Sequence, residues 1–273
     1  AERAARGLRH GWLWSGRRGL GLDGAARWLA TVAGFGLAAL LMWSLAGLAL
    51  WSLAGLWPFP AALPDQISLH LWRSTAPALG QSLGLTLLIA LVATGAALAL
   101  VLGCLEAETR HGQRPFIPIE TLIYLPLLVP QIAMLPGLQM LALGAGFQGH
   151  WPAVAAAHLV FVLPYVFLSL APAWRGMDRR LPLIAASLGA SPGRILWRLR
   201  LPLLVAPVLT AAALGLAVSV GQYLPTLLIG GGRVGTLTTE AVALASGGNR
   251  RLIGVWGLAQ LALPAFGFAL ALG

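Results

Sequence analysis

Polar side chains that interrupt long apolar segments are the residues here with the chemistry to bind or pass a solute. Six of them lie in two such segments: Gln131, Gln139, Ser219, Gln222, Tyr223 and Thr226. An amide or hydroxyl group surrounded by hydrocarbon costs free energy unless it is paired, so each needs a physical reason. They could line a translocation pathway, or they could join neighbouring helices by hydrogen bonds. The pattern leaves both interpretations open and favours the pathway most at Gln222.

A few isolated ionisable residues complete the candidate chemistry. His158 stands alone in an apolar segment, and we interpret it as a hydrogen-bonded packing residue rather than a ligand or proton relay. Cys104 is the one cysteine, so no disulfide framework or cysteine-based metal site is expected. Glu120 begins an apolar segment and is expected near Arg114. Glu240 lies in a loop among Thr238, Thr239 and Arg233, and a solvated turn is one interpretation of it.

The sequence lacks the signature of a nucleotide hydrolase. It has no Gly-x-x-x-x-Gly-Lys-[Ser/Thr] loop, whose backbone cradles the phosphates of ATP. It also lacks the His-Glu-x-x-His pair of zinc proteases. We therefore expect no catalytic residue, metal or cofactor in this chain, and we expect any ATP hydrolysis to take place on another polypeptide.

The composition predicts a membrane protein. Of the 273 residues, 58% are hydrophobic and only 10% are charged, whereas soluble domains have about 25% charged residues. The net charge of +10 comes from 18 basic residues, all of them Arg. These Arg residues lie between apolar blocks, as is typical of loops flanking membrane spans. We therefore expect membrane lipid around the chain and no nucleic acid partner.

Six apolar blocks are long enough for the ~20 residues of a membrane crossing. They cover residues 28–56, 79–105, 117–143, 151–173, 203–229 and 252 to the end. Backbone in hydrocarbon must satisfy its own hydrogen bonds, so we predict an all-α polytopic transmembrane bundle of about six spans. Residues 1–27 are predicted to form a cytoplasmic basic segment or linker, residues 28–78 the first span and an outer loop, and residues 79–273 the core.

The distribution of Arg predicts the orientation. With a cytoplasmic N-terminus, 14 Arg residues fall on the inner side and four on the outer side. Inner loops of membrane proteins carry the excess of basic residues. The segment 175–204, between the fourth and fifth spans, is therefore expected in the cytoplasm.

This segment, called the coupling loop below, is predicted to be two short helices rather than a flexible connector. The first covers residues 181–188 and ends at Gly189, which can adopt the left-handed conformation. Ser191 is a good N-cap and Pro192 a good first residue for a second helix over 192–201, after which Pro202 begins a turn. Such a basic amphipathic pair could lie on anionic lipid or could dock a partner protein.

The loop resembles the Glu-Ala-Ala loop of binding-protein-dependent ABC import permeases. The matching residues are Ala185, Ala186, Gly189, Ala190, Ser191, Leu201 and Pro202. Ile184 stands where the family has Glu, which puts one polar contact to the ATPase in doubt. The resemblance implies that the first loop helix fits a cleft on a cytoplasmic ATP-binding subunit dimer, whose closure then moves the spans.

Other stretches extend the resemblance from about residue 79 to the end. Residues 81–83, 125–127 and 130 are similar to the opening of the family's core and to its proline-broken third span. Residues 221–233 and 236–239 resemble the branch that serves ferric iron, thiamine, polyamines and oxyanions, with thiamine or ferric iron preferred. Position 1 is Ala, and residue 273 falls in an apolar stretch, so we expect a piece of a longer protein, such as the C-terminal half of a fused permease.

The predicted function is the permease subunit of an ATP-driven importer in a bacterial inner membrane. The resemblance implies three protein partners: the ATP-binding subunit dimer, a periplasmic solute-binding protein and a second permease half. It also implies that the loop at Glu240 contacts the solute-binding protein. An ion-coupled secondary carrier is the main alternative, but carriers usually need an acid or base at mid-membrane, and no Asp or Glu falls there. An intramembrane enzyme is a further alternative, for which we find no arrangement of catalytic residues.

Overall fold

A computed structural model describes residues 23–57, 61, 63–111, 117–178 and 180–272. Contacts between residues divide the chain into two units, 1–47 and 48–273, and the described part of the first belongs to one long helix. The described residues are helical throughout their ordered elements, with a single isolated β-bridge between Ala54 and Ile67. The predicted all-α transmembrane bundle is confirmed.

The described residues form the following helices, in chain order. They are α1 (Asp23–Leu53), α2 (His70–His111), α3 (Ile117–Leu128), α4 (Gln131–Gly144), α5 (Trp151–Gly176), α6 (Arg180–Ser187), α7 (Pro192–Ile195), a π-helical turn (Leu196–Arg200), α8 (Leu201–Leu203), α9 (Val205–Val220), α10 (Tyr223–Gly230), α11 (Leu237–Ser246) and α12 (Arg250–Leu272).

Four helices in the described ranges are long and apolar enough to cross a membrane, namely α1, α2, α5 and α12. Six crossings result only if each of two bent helix pairs counts as one. The second predicted span, 79–105, is part of a much longer helix, since α2 has 42 residues and continues through Pro77.

The third predicted span, 117–143, is not one helix. The axes of α3 and α4 differ by 113° across a break at Val129 and Pro130. Proline lacks the N–H of a helical hydrogen bond and pushes the preceding residue out of the helical region, so the chain turns there.

The fifth predicted span, 203–229, is also broken. The helical stretch 192–203 bends by 76° into α9, and α9 ends at Val220 before α10 begins at Tyr223. Pro207 and Pro225 explain the breaks, because a proline ring clashes with the carbonyl four residues earlier. Those carbonyls belong to Leu203 and Gly221, at the ends of the preceding segments.

The core of the second unit is centred on α5. Its buried side chains, including Val162, Val166 and Leu170, pack with Val101 and Leu105 of α2. Gly215 brings α9 close to the same place, since a β-carbon there would lie 2.7 Å from Cγ2 of Thr94. Helices α2, α5 and α9 therefore pack closely around one core.

Candidate functional site

The first helix of the coupling loop has the predicted form. It covers Arg180–Ser187, and Gly189 ends it with a φ of +81°. The backbone N–H of Ala190 donates to the carbonyl of Ala185 at 3.0 Å, and that of Gly189 donates to Ala186 at 2.9 Å. This pattern of helix termination uses the left-handed conformation that glycine adopts without steric penalty.

The first loop helix also presents apolar side chains to its surroundings. Leu183, Ile184 and Leu188 are 68%, 56% and 82% exposed. Large apolar side chains grouped at the surface are typical of a contact with a partner protein or lipid. Ile184 therefore extends an apolar surface at the position where the family has Glu.

The second loop helix begins as predicted but ends later. The hydroxyl of Ser191 accepts a hydrogen bond from the backbone N–H of Arg194 at 3.4 Å, and Pro192 is the first helical residue. The helical path continues through the π-turn and α8, so the predicted end at Leu201 and the predicted turn at Pro202 are wrong. The turn falls at Leu204, which is buried.

Two acidic residues near the C-terminal end of α2 form ion pairs with Arg residues. Glu106 forms an ion pair with Arg200 of the coupling loop and a second one with Arg110 at 2.7 Å. Glu108 forms an ion pair with Arg175 at 2.9 Å. Together these pairs join α2 to the beginning and end of the coupling loop.

Glu120 does take part in an ion pair, at 2.7 Å from Arg175 of α5. The predicted neighbour Arg114 lies outside the described residues. Arg175 therefore bridges Glu108 of α2 and Glu120 of α3 with one guanidinium group. The planar, five-donor guanidinium is suited to such bridging.

A buried polar cluster forms where α9 breaks into α10. The imidazole of His158 on α5 lies 2.8 Å from the hydroxyl of Ser219 through Nδ1 and 2.9 Å from the hydroxyl of Thr226 through Nε2. Gln222, in the break itself, donates from its side-chain amide to the carbonyl of His158 at 3.3 Å. All four residues are buried, so three of the six candidate pathway residues meet around His158.

The hydrogen bonds of this cluster define the form of the histidine. The hydroxyl of Thr226 donates to the carbonyl of Gln222 at 2.6 Å, so its oxygen accepts from Nε2–H of His158. Nδ1 then carries the lone pair, which accepts a hydrogen bond from the hydroxyl of Ser219. A neutral imidazole satisfies both contacts. The packing interpretation of His158 agrees with this arrangement.

The other three candidate pathway residues lie elsewhere. Gln131 and Gln139 are half-buried on α4, after the 113° bend. Tyr223 is half-buried at the first position of α10. None of them takes part in the hydrogen bonds of the His158 cluster, whereas the Oε1 atom of Gln222 is buried and has no hydrogen-bond partner among the described residues.

The stretch 236–239 anchors the start of α11 to two other helices. The hydroxyl of Thr86 on α2 accepts from the backbone N–H of Leu237 at 2.9 Å, and the hydroxyl of Thr238 donates to the carbonyl of Val220. Thr236 and Thr239 form a reciprocal capping box. Glu240 is half-buried in the first turn of this helix.

Two Gly-x-Ser-x-Gly stretches occur in the chain, at residues 80–84 and 189–193, and this pattern marks the nucleophile of some hydrolases. Ser82 lies inside α2 and Ser191 caps α7. A nucleophile elbow requires a sharp strand-to-helix turn, which neither serine occupies. The pattern therefore gives no support to an enzyme.

Sequence reasoning missed Glu106 and Arg200 as a pair. Glu106 comes directly after the predicted end of the second span at residue 105, and Arg200 is one of several basic residues in the coupling loop. An acid adjoining an apolar block is the signal that could have been used. It could not have named the partner, which lies 94 residues away.

Comparison with known families identifies the class. The family model described as "Binding-protein-dependent transport system inner membrane component" matches residues 95–271, well over half of the chain. The chain belongs to this family, as the resemblance of its coupling loop predicted. It is therefore a multi-pass protein of the inner membrane.

Several curated proteins are similar to the chain. The inner membrane ABC transporter permease protein YnjC of Escherichia coli is 43% identical over 185 residues, which are 68% of this chain and 35% of that protein. The molybdenum transport system permease protein ModB of Mycobacterium tuberculosis is 33% identical over 156 residues, 54% of this chain and 58% of ModB. The spermidine/putrescine transport system permease protein PotC of Haemophilus influenzae is 29% identical over 139 residues, 50% of this chain and 54% of PotC. The chain thus spans between about a third and just over half of the length of these relatives.

Proposed function

We propose that the chain is a permease subunit of an ATP-driven importer and that the coupling loop docks a cytoplasmic ATP-binding subunit. The observation that carries the proposal is the first loop helix, Arg180–Ser187, with its exposed apolar side chains and its glycine stop. In this arrangement the small side chains of Ala185 and Ala186 let the partner's surface approach the helix closely, and the apolar residues beside them enter the partner's cleft. Ala190, Ser191, Leu201 and Pro202 shape the return to the bundle.

The loop is proposed to transmit motion in both directions. Thermodynamic linkage requires that nucleotide-driven closure of the ATPase and delivery of solute bias the same two states of the bundle. A periplasmic binding protein would deliver the solute to the outer face, and a second permease half, fused or separate, would complete the pathway. The N-terminal end of α1 would lie in the cytoplasm, in agreement with the Arg distribution.

The pathway itself is proposed to include Gln131, Gln139, Ser219, Gln222, Tyr223 and Thr226. Gln222 has the best support, because its Oε1 atom is buried without a hydrogen-bond partner among the described residues. Ser219 and Thr226 are engaged by His158, which favours a supporting role for them at the break between α9 and α10.

The solute is proposed to be small and delivered by a binding protein, with thiamine, ferric iron or a polyamine as candidates. The similarity to PotC, named for spermidine and putrescine, supports a polyamine, while ModB is named for molybdenum. Uptake of labelled thiamine, ferric iron, spermidine and molybdate would be compared in cells with and without the gene. Loss of uptake of one solute, restored by the gene, identifies it.

Docking is tested by co-purification of the ATP-binding subunit with the full-length protein. Gly189→Val introduces a β-branched side chain at a φ of +81°, which L-residues disfavour by about 1–2 kcal/mol. Gly146→Val is the matched control, since Gly146 has a φ of +71° in the loop between α4 and α5. A β-carbon added at either glycine would have no neighbouring atom within 4 Å, so backbone strain is the shared effect of the two substitutions.

The two variants separate docking from general damage. We expect the wild type and Gly146→Val to retain the ATPase, and Gly189→Val to lose most of it while still reaching the membrane. If no ATPase accompanies the wild type from gently solubilised membranes, the importer proposal fails, and the ion-coupled carrier becomes the better hypothesis.

A further inference from the structure

A buried ion pair joins the end of the coupling loop to the inner end of α2. Arg200, the last residue of the π-turn, is only 6% exposed, and Glu106 on α2 is 7% exposed. Their side chains form an ion pair. By contrast, the neighbouring Arg194 and Arg198 are exposed. Arg200 is thus the basic residue of the second loop helix that is directed into the protein.

The π-helical turn explains why Arg200 points inward. In an α-helix, residues five apart differ by about 140° around the axis, whereas the i→i+5 bonding of a π-turn brings them onto one face. Ile195 and Arg200 are five apart and both buried, at 8% and 6% exposure. π-turns of this kind are frequent at functional sites.

Trp174 of α5 completes the surroundings of the pair. The guanidinium carbon of Arg200 lies 5.9 Å from the centroid of the Trp174 ring, close enough for a cation–π contact. The indole N–H of Trp174 donates to the hydroxyl of Thr109 on α2 at 3.1 Å. One arginine of the loop therefore contacts two helices of the bundle, and these helices are also bound to each other.

We propose that Arg200 is the positioning residue that carries movement of the coupling loop to α2 through Glu106. The inference rests on the proposed function, because it needs a loop that an ATPase moves. Two buried opposite charges cannot separate without leaving an unpaired charge in a low-dielectric interior. When the loop shifts, Glu106 and the inner end of α2 therefore shift with it, whereas exposed arginines re-solvate and transmit nothing.

Cys104 provides a native reporter of this movement. It is the one cysteine of the chain, it is half-buried on α2, and it precedes Glu106 by two residues. The experiment uses the full-length protein in complex with its ATP-binding subunit in lipid nanodiscs. The rate of Cys104 modification by a small maleimide is measured by peptide mass spectrometry, without nucleotide and with ATP plus vanadate.

The decisive variant is Glu106→Gln, which keeps the size of the side chain and removes its charge. Allosteric couplings are typically about fivefold or more, so we expect nucleotide to change the wild-type rate by at least about that factor. In Glu106→Gln the change should fall below about twofold, while the ATPase still co-purifies. Arg110→Gln is the matched control, because Arg110 is the other partner of the Glu106 carboxylate and its own side chain is 43% exposed. This variant should keep the wild-type response.

The outcomes separate this inference from the proposed function. A merely structural role for the pair would lower the yield of Glu106→Gln complexes but leave the nucleotide response of the assembled ones intact, which would overturn the inference. A wild type with bound ATPase but no nucleotide response at Cys104 would also overturn it, whereas absence of the ATPase contradicts the proposed function instead. If Glu106→Gln does not assemble, the double variant Glu106→Gln/Arg200→Gln is measured in its place: it removes both charges of the pair, so neither charge stays buried without the other, and the same reduced response is expected.

Discussion

Replacement of His158 by leucine tests how the break between α9 and α10 is held. The imidazole connects α5 to Ser219 at the end of α9 and to Thr226 on α10. Leucine has a similar volume and fills the same space, so the main loss is hydrogen bonding rather than packing. The perturbation is therefore specific to the polar cluster.

The expected loss of stability depends on which hydrogen bonds Ser219 and Thr226 keep when the imidazole is removed. Thr226 still donates to the carbonyl of Gln222 at 2.6 Å, so its loss is small. Ser219 is 1% exposed and loses its acceptor, which costs about 1–3 kcal/mol for a buried unsatisfied group. Hydrogen bonds between membrane helices average only about 0.6 kcal/mol, so we expect a total near 1–2 kcal/mol. For a protein of this size that corresponds to a decrease of about 2–8 °C in the unfolding midpoint.

The assay is thermal unfolding of the full-length protein in detergent, monitored by the increase in labelling of Cys104 as unfolding exposes its half-buried thiol. His158→Leu and Ser219→Ala are measured singly and together, because removal of both partners of a hydrogen bond can be nearly neutral. We expect the double variant to be more stable than His158→Leu alone. Ser246→Ala is the control, since its exposed hydroxyl bonds only within its own helix, to Ala243 at 2.6 Å.

Two results would refute this reasoning. His158→Leu with an unchanged midpoint would mean that the cluster does not stabilise the break. A double variant with the sum of the two single losses would mean that His158 and Ser219 act independently, because coupled residues deviate from additivity. If stability were unchanged but solute uptake were lost, the pathway interpretation of this cluster would gain support over the structural one.

Two glycines that lie close to a neighbouring helix give two further predictions, both checked by the same unfolding assay. Gly254→Ala should destabilise the protein by about 1–3 kcal/mol, because its β-carbon would lie 2.5 Å from the backbone nitrogen of Ser52, which cannot rotate away. Gly257→Ala is the control, since its β-carbon would meet only a side-chain methyl group of Leu48 at 3.6 Å. This control should be neutral or slightly stabilising. Gly215→Ala should cost about 1–2 kcal/mol, less than Gly254→Ala, since the 2.7 Å contact is with a methyl group of Thr94 that can shift. A Gly254→Ala protein as stable as Gly257→Ala would contradict this close approach of α12 to Ser52.

Local features of the chain were predictable from the sequence because they depend on neighbours within a few residues. Blocks of apolar residues indicated the membrane helices, and Gly189 and Ser191 indicated the end of one loop helix and the start of the next. The bend at Pro130 did not follow from the residues alone, and only the resemblance to a proline-broken third span pointed to it. Prolines were visible in that segment, but whether a proline kinks or breaks a span depends on whether other groups satisfy the freed carbonyls.

The partners of buried polar groups were decided only by tertiary structure. His158 was recognisable as a lone polar residue, yet Ser219 and Thr226 lie 61 and 68 positions further along. Glu106 and Arg200 are likewise distant, and a single π-turn decides whether that arginine faces solvent or the bundle. Periodicity predicts which face of a helix is apolar, because that pattern repeats along the chain. It cannot predict which two charges meet, because that depends on how helices from distant parts of the sequence pack in three dimensions.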